Sequence, residues 1–119
     1  MPPSPTVADV QAFLPLPPRD YLVLFALAGG PAHGYGILKA IESGSGGVPF
    51  DPANLYRSLR KLTRDGLVVE AAGLERDTAG GPGRRYRLTP LGRRVLTAEA
   101  RRLASLADAA RARHLVSPT

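Results

Sequence analysis

Residues 51–66 read DPANLYRSLRKLTRDG, and the fold turns on this stretch. Asp51 is a helix-capping residue type, and Pro52 stands at the first helical position, where its fixed φ and missing N–H cost nothing. Gly66 is the residue type that ends a helix in the left-handed conformation. Between them Leu55, Leu59 and Leu62 fall at i, i+4 and i+7 and form one inward stripe, while Arg57, Arg60 and Arg64 occupy the opposite face with Lys61 beside them. The spacing predicts a helix from Asp51 to about Asp65 that crowds four cations on its exposed side. Only Asp51 and Asp65, at its two ends, offset them, at some cost to helix stability.

Upstream, Arg19-Asp20 opens a segment apolar from Tyr21 to Ala28 and stopped by Gly29-Gly30-Pro31. A helix apolar all round must be buried on several sides, so this one is expected at the centre of the core. A short second helix follows, with Ile37, Leu38 and Ile41 at helical spacing before the glycine-rich stretch 43–47. Downstream, Leu67-Val68-Val69 reads as a strand, and Tyr86 and Leu88 alternate with Arg85 and Arg87 in a returning one. The link between them, with Gly73, Gly80, Gly81, Pro82 and Gly83, makes a hairpin with a long basic tip. Thr89-Pro90 repeats the cap-plus-proline signal and opens a final helix of about 25 residues.

That helix would extend close to 40 Å, longer than a three-helix core can cover. Its apolar residues Leu96, Leu103 and Ala110 lie seven apart with Leu106 on the same side, so a seam pairing with a second chain is expected. The N-terminal stretch 1–18 holds six prolines and is expected to be a loose arm, with Val10 to Leu14 able to add one apolar turn. Three parts follow: an arm (1–18), a compact unit (19–89) and a dimerisation helix (90–117). The class is α+β, mainly α.

Composition excludes more than it proposes. The 119 residues suffice for one core. There is no cysteine, hence no disulfide or thiolate nucleophile, and two histidines, His33 and His114, are too few for a metal site, so no cofactor is expected. The apolar run of Tyr21 to Ala28 is far too short to cross a bilayer and no basic leader precedes it, so a cytoplasmic chain with no membrane partner is expected. No nucleophile–base set, phosphate loop or carboxylate pair argues for an enzyme. Net charge is +6, and its excess is local: residues 51–94 hold ten Lys/Arg against five Asp/Glu, the rest six against five.

Helix, helix, turn, capped helix, hairpin is the order of a winged helix-turn-helix, in which the helix opening at Asp51 enters the major groove. Groove entry suits short or flat residues first and cations later. Here Ala53, Asn54 and Tyr56 precede Arg57, Arg60, Lys61 and Arg64. Arg76, Arg84 and Arg85 stand where a wing would approach the DNA backbone or a narrow minor groove. Tyr56 is read either as a phosphate contact or as packing; Tyr35 and Tyr86 are assigned to the core, and His33 to capping or packing. The alternative to a DNA-binding regulator is a winged-helix module used only for protein contacts.

Leu22 to Leu27, Gly30-Pro31, His33-Gly34-Tyr35-Gly36-Ile37, Asn54 to Leu62, Asp65-Gly66-Leu67-Val68 and Arg84 to Gly92 together resemble the PadR family of bacterial transcriptional regulators over roughly residues 16–97. The short final helix looks like the family's smaller subgroup. The resemblance implies a homodimer paired through C-terminal helices on a palindromic operator in double-stranded DNA, and repression relieved by a small molecule. Such an inducer is expected between subunits near Tyr21 and Phe25, where apolar surface and a cavity could coincide.

Overall fold

A computed structural model describes residues 6–44, 50–71 and 84–117. The elements in chain order are α1 (Val7–Gln11), α2 (Pro18–Ala26), β1 (Ala32–His33), α3 (Gly34–Gly44), α4 (Pro52–Arg64), β2 (Val68–Ala71), β3 (Arg85–Leu88) and α5 (Pro90–Ala112). The strands form one antiparallel sheet of order β1-β3-β2, with Ala32 opposite Tyr86 and Val68 opposite Leu88. A mainly helical chain with a small three-stranded antiparallel sheet is the winged helix-turn-helix expected from the order of helices and hairpin in the sequence. The two-residue strand β1, immediately ahead of α3, was not legible from periodicity.

Helix α2 touches α3, α4 and α5 and supplies Val23, Leu24 and the adjoining Leu27 to the core. Against them pack Ile37 and Ile41 of α3, the Leu55, Leu59 and Leu62 stripe of α4, and Val95 and Leu96 of α5, with Leu67 and Val68 closing the wing side. Asp51 caps α4 by accepting the Ala53 N–H at 2.9 Å. At the other end Leu67 N–H donates to Leu62 O at 2.9 Å and Gly66 N–H to Thr63 O at 3.1 Å, with Gly66 at φ +80°. This is the paired 6→1 and 5→2 bonding that ends a helix through a left-handed residue, and it turns the chain straight into β2.

Thr89 joins that corner to α5. Its hydroxyl donates to Gly66 O at 2.6 Å and accepts the Gly92 N–H at 3.0 Å, while its own N–H donates to Leu67 O at 3.0 Å. Gly92 lies so close that a Cβ there would penetrate the Leu67 carbonyl. Only glycine allows the first turn of α5 to sit on the corner at this distance.

The described part of the N-terminal stretch is not a loose arm. Thr6 and Asp9 form a reciprocal capping box that starts α1, and Val10 and Leu16 are buried. The prolines break a continuous helix, as expected, but leave the Leu16 N–H free to donate to Glu99 Oε2 at 3.0 Å. Glu99 is only 1% exposed and also takes Arg102 Nε at 2.6 Å and Nη2 at 2.8 Å. Those Arg102 hydrogen bonds hold its carboxyl below the usual glutamate range, against the opposing effect of burial.

Two further expectations are corrected. Leu96 is 8% exposed within its own chain, because the first half of α5 lies on α2, so it cannot belong to an outward seam; Leu103 and Leu106 are 37% and 55% exposed, and Ala110 is half-buried. Tyr35 is not in the core: at the first turn of α3 it is 63% exposed, with the Lys39 ammonium 5.6 Å from its ring centroid. Tyr86 is half-buried against the core, as assigned. Among the described residues no helix is long and apolar enough to cross a membrane.

Candidate nucleic-acid interface

Helix α4 presents three sides besides its buried one, and each has a different neighbour. The outward side carries Arg57, Arg60 and Arg64, all exposed. Arg57 and Arg60 have no acidic partner among the described residues, and Arg64 Nε stands 3.7 Å from Asp65 Oδ1, too long to immobilise a side chain that is 74% exposed. Exposed guanidiniums not clamped by a close carboxylate are suited to meet phosphate oxygens, because each can donate two parallel hydrogen bonds.

The wing side is a groove of about 540 Å³ lined by Tyr56, Leu59, Arg60, Thr63, Arg64, Glu70, Arg84 and Tyr86. Arg84 Nε lies 3.3 Å from Glu70 Oε1 across the β2–β3 pair, and both side chains are exposed. The groove thus gathers three arginines, one from the wing and two from the helix, around a single carboxylate. Tyr56 is 49% exposed, and its hydroxyl fills the space that a Cβ on Gly34 would take. It therefore packs over the start of α3, one of the two readings open to it in sequence, while keeping an exposed edge.

The third side faces the first turn of α2. Arg19 Nη1 donates to Asn54 Oδ1 at 3.2 Å, Ser58 Oγ donates to Asp20 Oδ1 at 2.9 Å, and Lys61 Nζ donates to Asp20 Oδ2 at 2.8 Å. Asn54, Ser58 and Lys61 sit at i, i+4 and i+7, so one polar stripe of α4 meets one turn of α2. The hydrophobic pattern alone did not reveal this contact. Its only sequence signal is Ser58 inside the leucine stripe together with an acid, Asp20, at the head of an apolar helix.

Of the nine residues expected to touch DNA, Arg57, Arg60, Arg64, Tyr56 and Arg84 thus surround the outward and wing sides of α4. Asn54 and Lys61 are engaged by α2, and half-buried Arg85 lies in β3 opposite His33 and Ala71. Arg76 and the remainder of the wing tip fall outside the described residues. Tyr21 and Phe25 stack on the exposed edge of α2 with ring centroids 6.3 Å apart, and the Phe25 ring occupies the space beside Gly44.

Comparison with known proteins agrees with this geometry. A crystal structure of a PadR family transcription regulator from hypervirulent Clostridium difficile R20291 superposes with a TM-score of 0.66 at 18% identity, covering 78% of this chain and 94% of that one. A PadR family transcriptional regulator from Eggerthella lenta DSM 2243 matches at 28% identity and a TM-score of 0.59, covering 92% of this chain and 94% of its own. An uncharacterised 37.1 kDa protein in transposon TN4556 of Streptomyces fradiae is 42% identical over 87 residues, 71% of this chain. The chain spans 23% of the length of that relative. The model of the transcriptional regulator PadR-like family matches residues 23–98, from the core of α2 through the wing to the first third of α5. The chain belongs to the PadR-like family, a family of transcription regulators and not of enzymes.

Proposed function

We propose that the protein is a sequence-specific repressor that binds a palindromic operator as a homodimer and is released by a small molecule. The observation that carries this reading is the outward side of α4, where Arg57, Arg60 and Arg64 stand exposed at the foot of a wing groove that adds Arg84. In this reading the N-terminal turn of α4 enters the major groove, Arg57 reaches a base edge or the nearest phosphate, and Arg60, Arg64 and Arg84 grip the backbone.

Pairing runs through the second half of α5, where Leu103 and Leu106 are exposed and Ala110 lies between them and the helix end. An apolar helical stripe left in water on a helix of about 35 Å favours a second copy. The inducer binds between the subunits against the exposed edges of Tyr21 and Phe25. Residues 19–89 act as the DNA-binding unit and residues 90–117 as the dimerisation helix.

The test is a gel-shift titration on the DNA upstream of the protein's own gene, with scrambled competitor, at two salt concentrations. A two-subunit complex that survives competitor is expected. A complex that dissolves into competitor on this fragment and on genome-selected fragments overturns the reading in favour of a protein-contact module.

A further inference from the structure

We propose that Asp20 is a positioning residue for DNA recognition, which fixes α4 by its α2 side and keeps Lys61 away from the phosphate backbone. The inference rests on the DNA-binding reading given above. Asp20 is 4% exposed, and both of its oxygens are taken by α4: Oδ1 by the Ser58 hydroxyl at 2.9 Å, Oδ2 by the Lys61 ammonium at 2.8 Å. A buried carboxylate is tolerable only if it is paired and hydrogen-bonded, so the partners are held tightly. Arg19, the preceding residue, holds Asn54 at the start of the same stripe. Three bonds along one side of a 13-residue helix fix its rotation about its own axis as well as its position.

Lys61 is the residue whose fate this decides. It lies four residues after Arg57 and three before Arg64, so it borders the outward cationic side within about 40° and 60° of them around the helix. Its side chain is 46% exposed, half buried along the α2 contact. Released from Asp20, an ammonium on a flexible four-carbon stem at this place would join Arg57 and Arg64 against phosphate, as a point charge indifferent to sequence. Tied to Asp20, it contributes to the pose of the helix instead. A regulator must limit sequence-independent attraction, because the genome offers a vast excess of wrong sites.

The experiment measures binding of the full-length chain to a random-sequence 30-base-pair duplex by fluorescence anisotropy across a salt series, for wild type, Asp20→Asn, Lys61→Gln and the double variant. Asparagine keeps an acceptor for Ser58 but no charge for Lys61. Each phosphate contact contributes about 0.9 to the slope of log affinity against log salt. Asp20→Asn is expected to steepen the slope by about one contact, while Lys61→Gln and the double variant keep the wild-type slope. A shallower slope for Lys61→Gln means that Lys61 already contacts phosphate and overturns the proposal. So does an unchanged slope for Asp20→Asn, or a steepening that persists in the double variant. If circular dichroism finds Asp20→Asn unfolded, Lys61→Gln alone decides: an unchanged slope upholds the proposal and a loss of about one contact refutes it. A wild-type chain without salt-dependent binding to any duplex would refute the DNA-binding reading itself, a failure visible before any variant is made.

Discussion

Replacing Glu99 by glutamine tests how the N-terminal stretch is held. The wild-type carboxylate accepts three hydrogen bonds, one from the Leu16 N–H and two from Arg102, at a position 1% exposed. Glutamine offers one acceptor oxygen and an amide that donates, so either Leu16 or Arg102 faces a donor. A buried donor left unsatisfied costs about 1–3 kcal/mol. The lost ion pair adds less, since Arg102 is 38% exposed and well screened. The sum is about 2–3 kcal/mol, or roughly 8–12 °C in Tm for a chain of this size.

The pH dependence separates this account from a general loss of packing. Because Glu99 is held below its usual range in the folded chain, its contribution is complete above the unfolded value of about 4.3 and is lost as pH falls through the depressed folded value. Glutamine does not titrate. Thermal melts of wild type and Glu99→Gln, at one protein concentration, should therefore differ most near pH 7 and draw together as the pH falls below the unfolded value of about 4.3. A gap that stays constant down to pH 3, or no gap at pH 7, refutes the reasoning.

Three other outcomes are expected. Gly92→Ala forces a methyl group onto the Leu67 carbonyl and should destabilise the chain by about 3 kcal/mol, read as a fall in urea midpoint. Arg57→Ala should cost about 1–3 kcal/mol on the operator; relaxed preference at one base pair in competition gel shifts assigns it to a base, and equal loss on all sequences to phosphate. Leu103→Asp should halve the mass found by sedimentation without changing the far-ultraviolet dichroism, because Leu103 lies outside its own chain's core, whereas Leu96→Asp should unfold the protomer.

The helices and the hairpin were legible because their signals are local: Asp51-Pro52, Gly66 and Thr89-Pro90 mark ends, and the leucine stripe marks the inner face. What escaped depends on contacts distant in sequence. The Leu16 N–H meets Glu99 across 83 residues and Asp20 meets Lys61 across 41, and neither pairing leaves a periodic trace. Prolines in the stretch before α2 suggest looseness, yet Leu16 is held by one backbone bond and its own burial. Leu96 and Leu103 share a heptad position, but the core ends between them, and a single repeat cannot say where. Tyr35 escaped for want of a periodic signal: in the first turn of α3 Gly34 and Ile37 face the core, and Tyr35 between them points outward.

The corner formed by Gly66, Leu67, Thr89 and Gly92 also has a mechanical meaning. Two hydrogen bonds from Thr89 and a glycine contact weld the end of α4 to the beginning of α5, leaving little play between them. In the proposed dimer each α5 is then a stiff lever of about 35 Å with a recognition helix bolted near one end. A tilt of about 5° between two such levers moves their ends by roughly 3 Å, a sizeable error against the fixed pitch of about 34 Å between successive major grooves. Loosening or tightening the pairing of the levers would thus change the gauge between the two reading heads and leave each head intact.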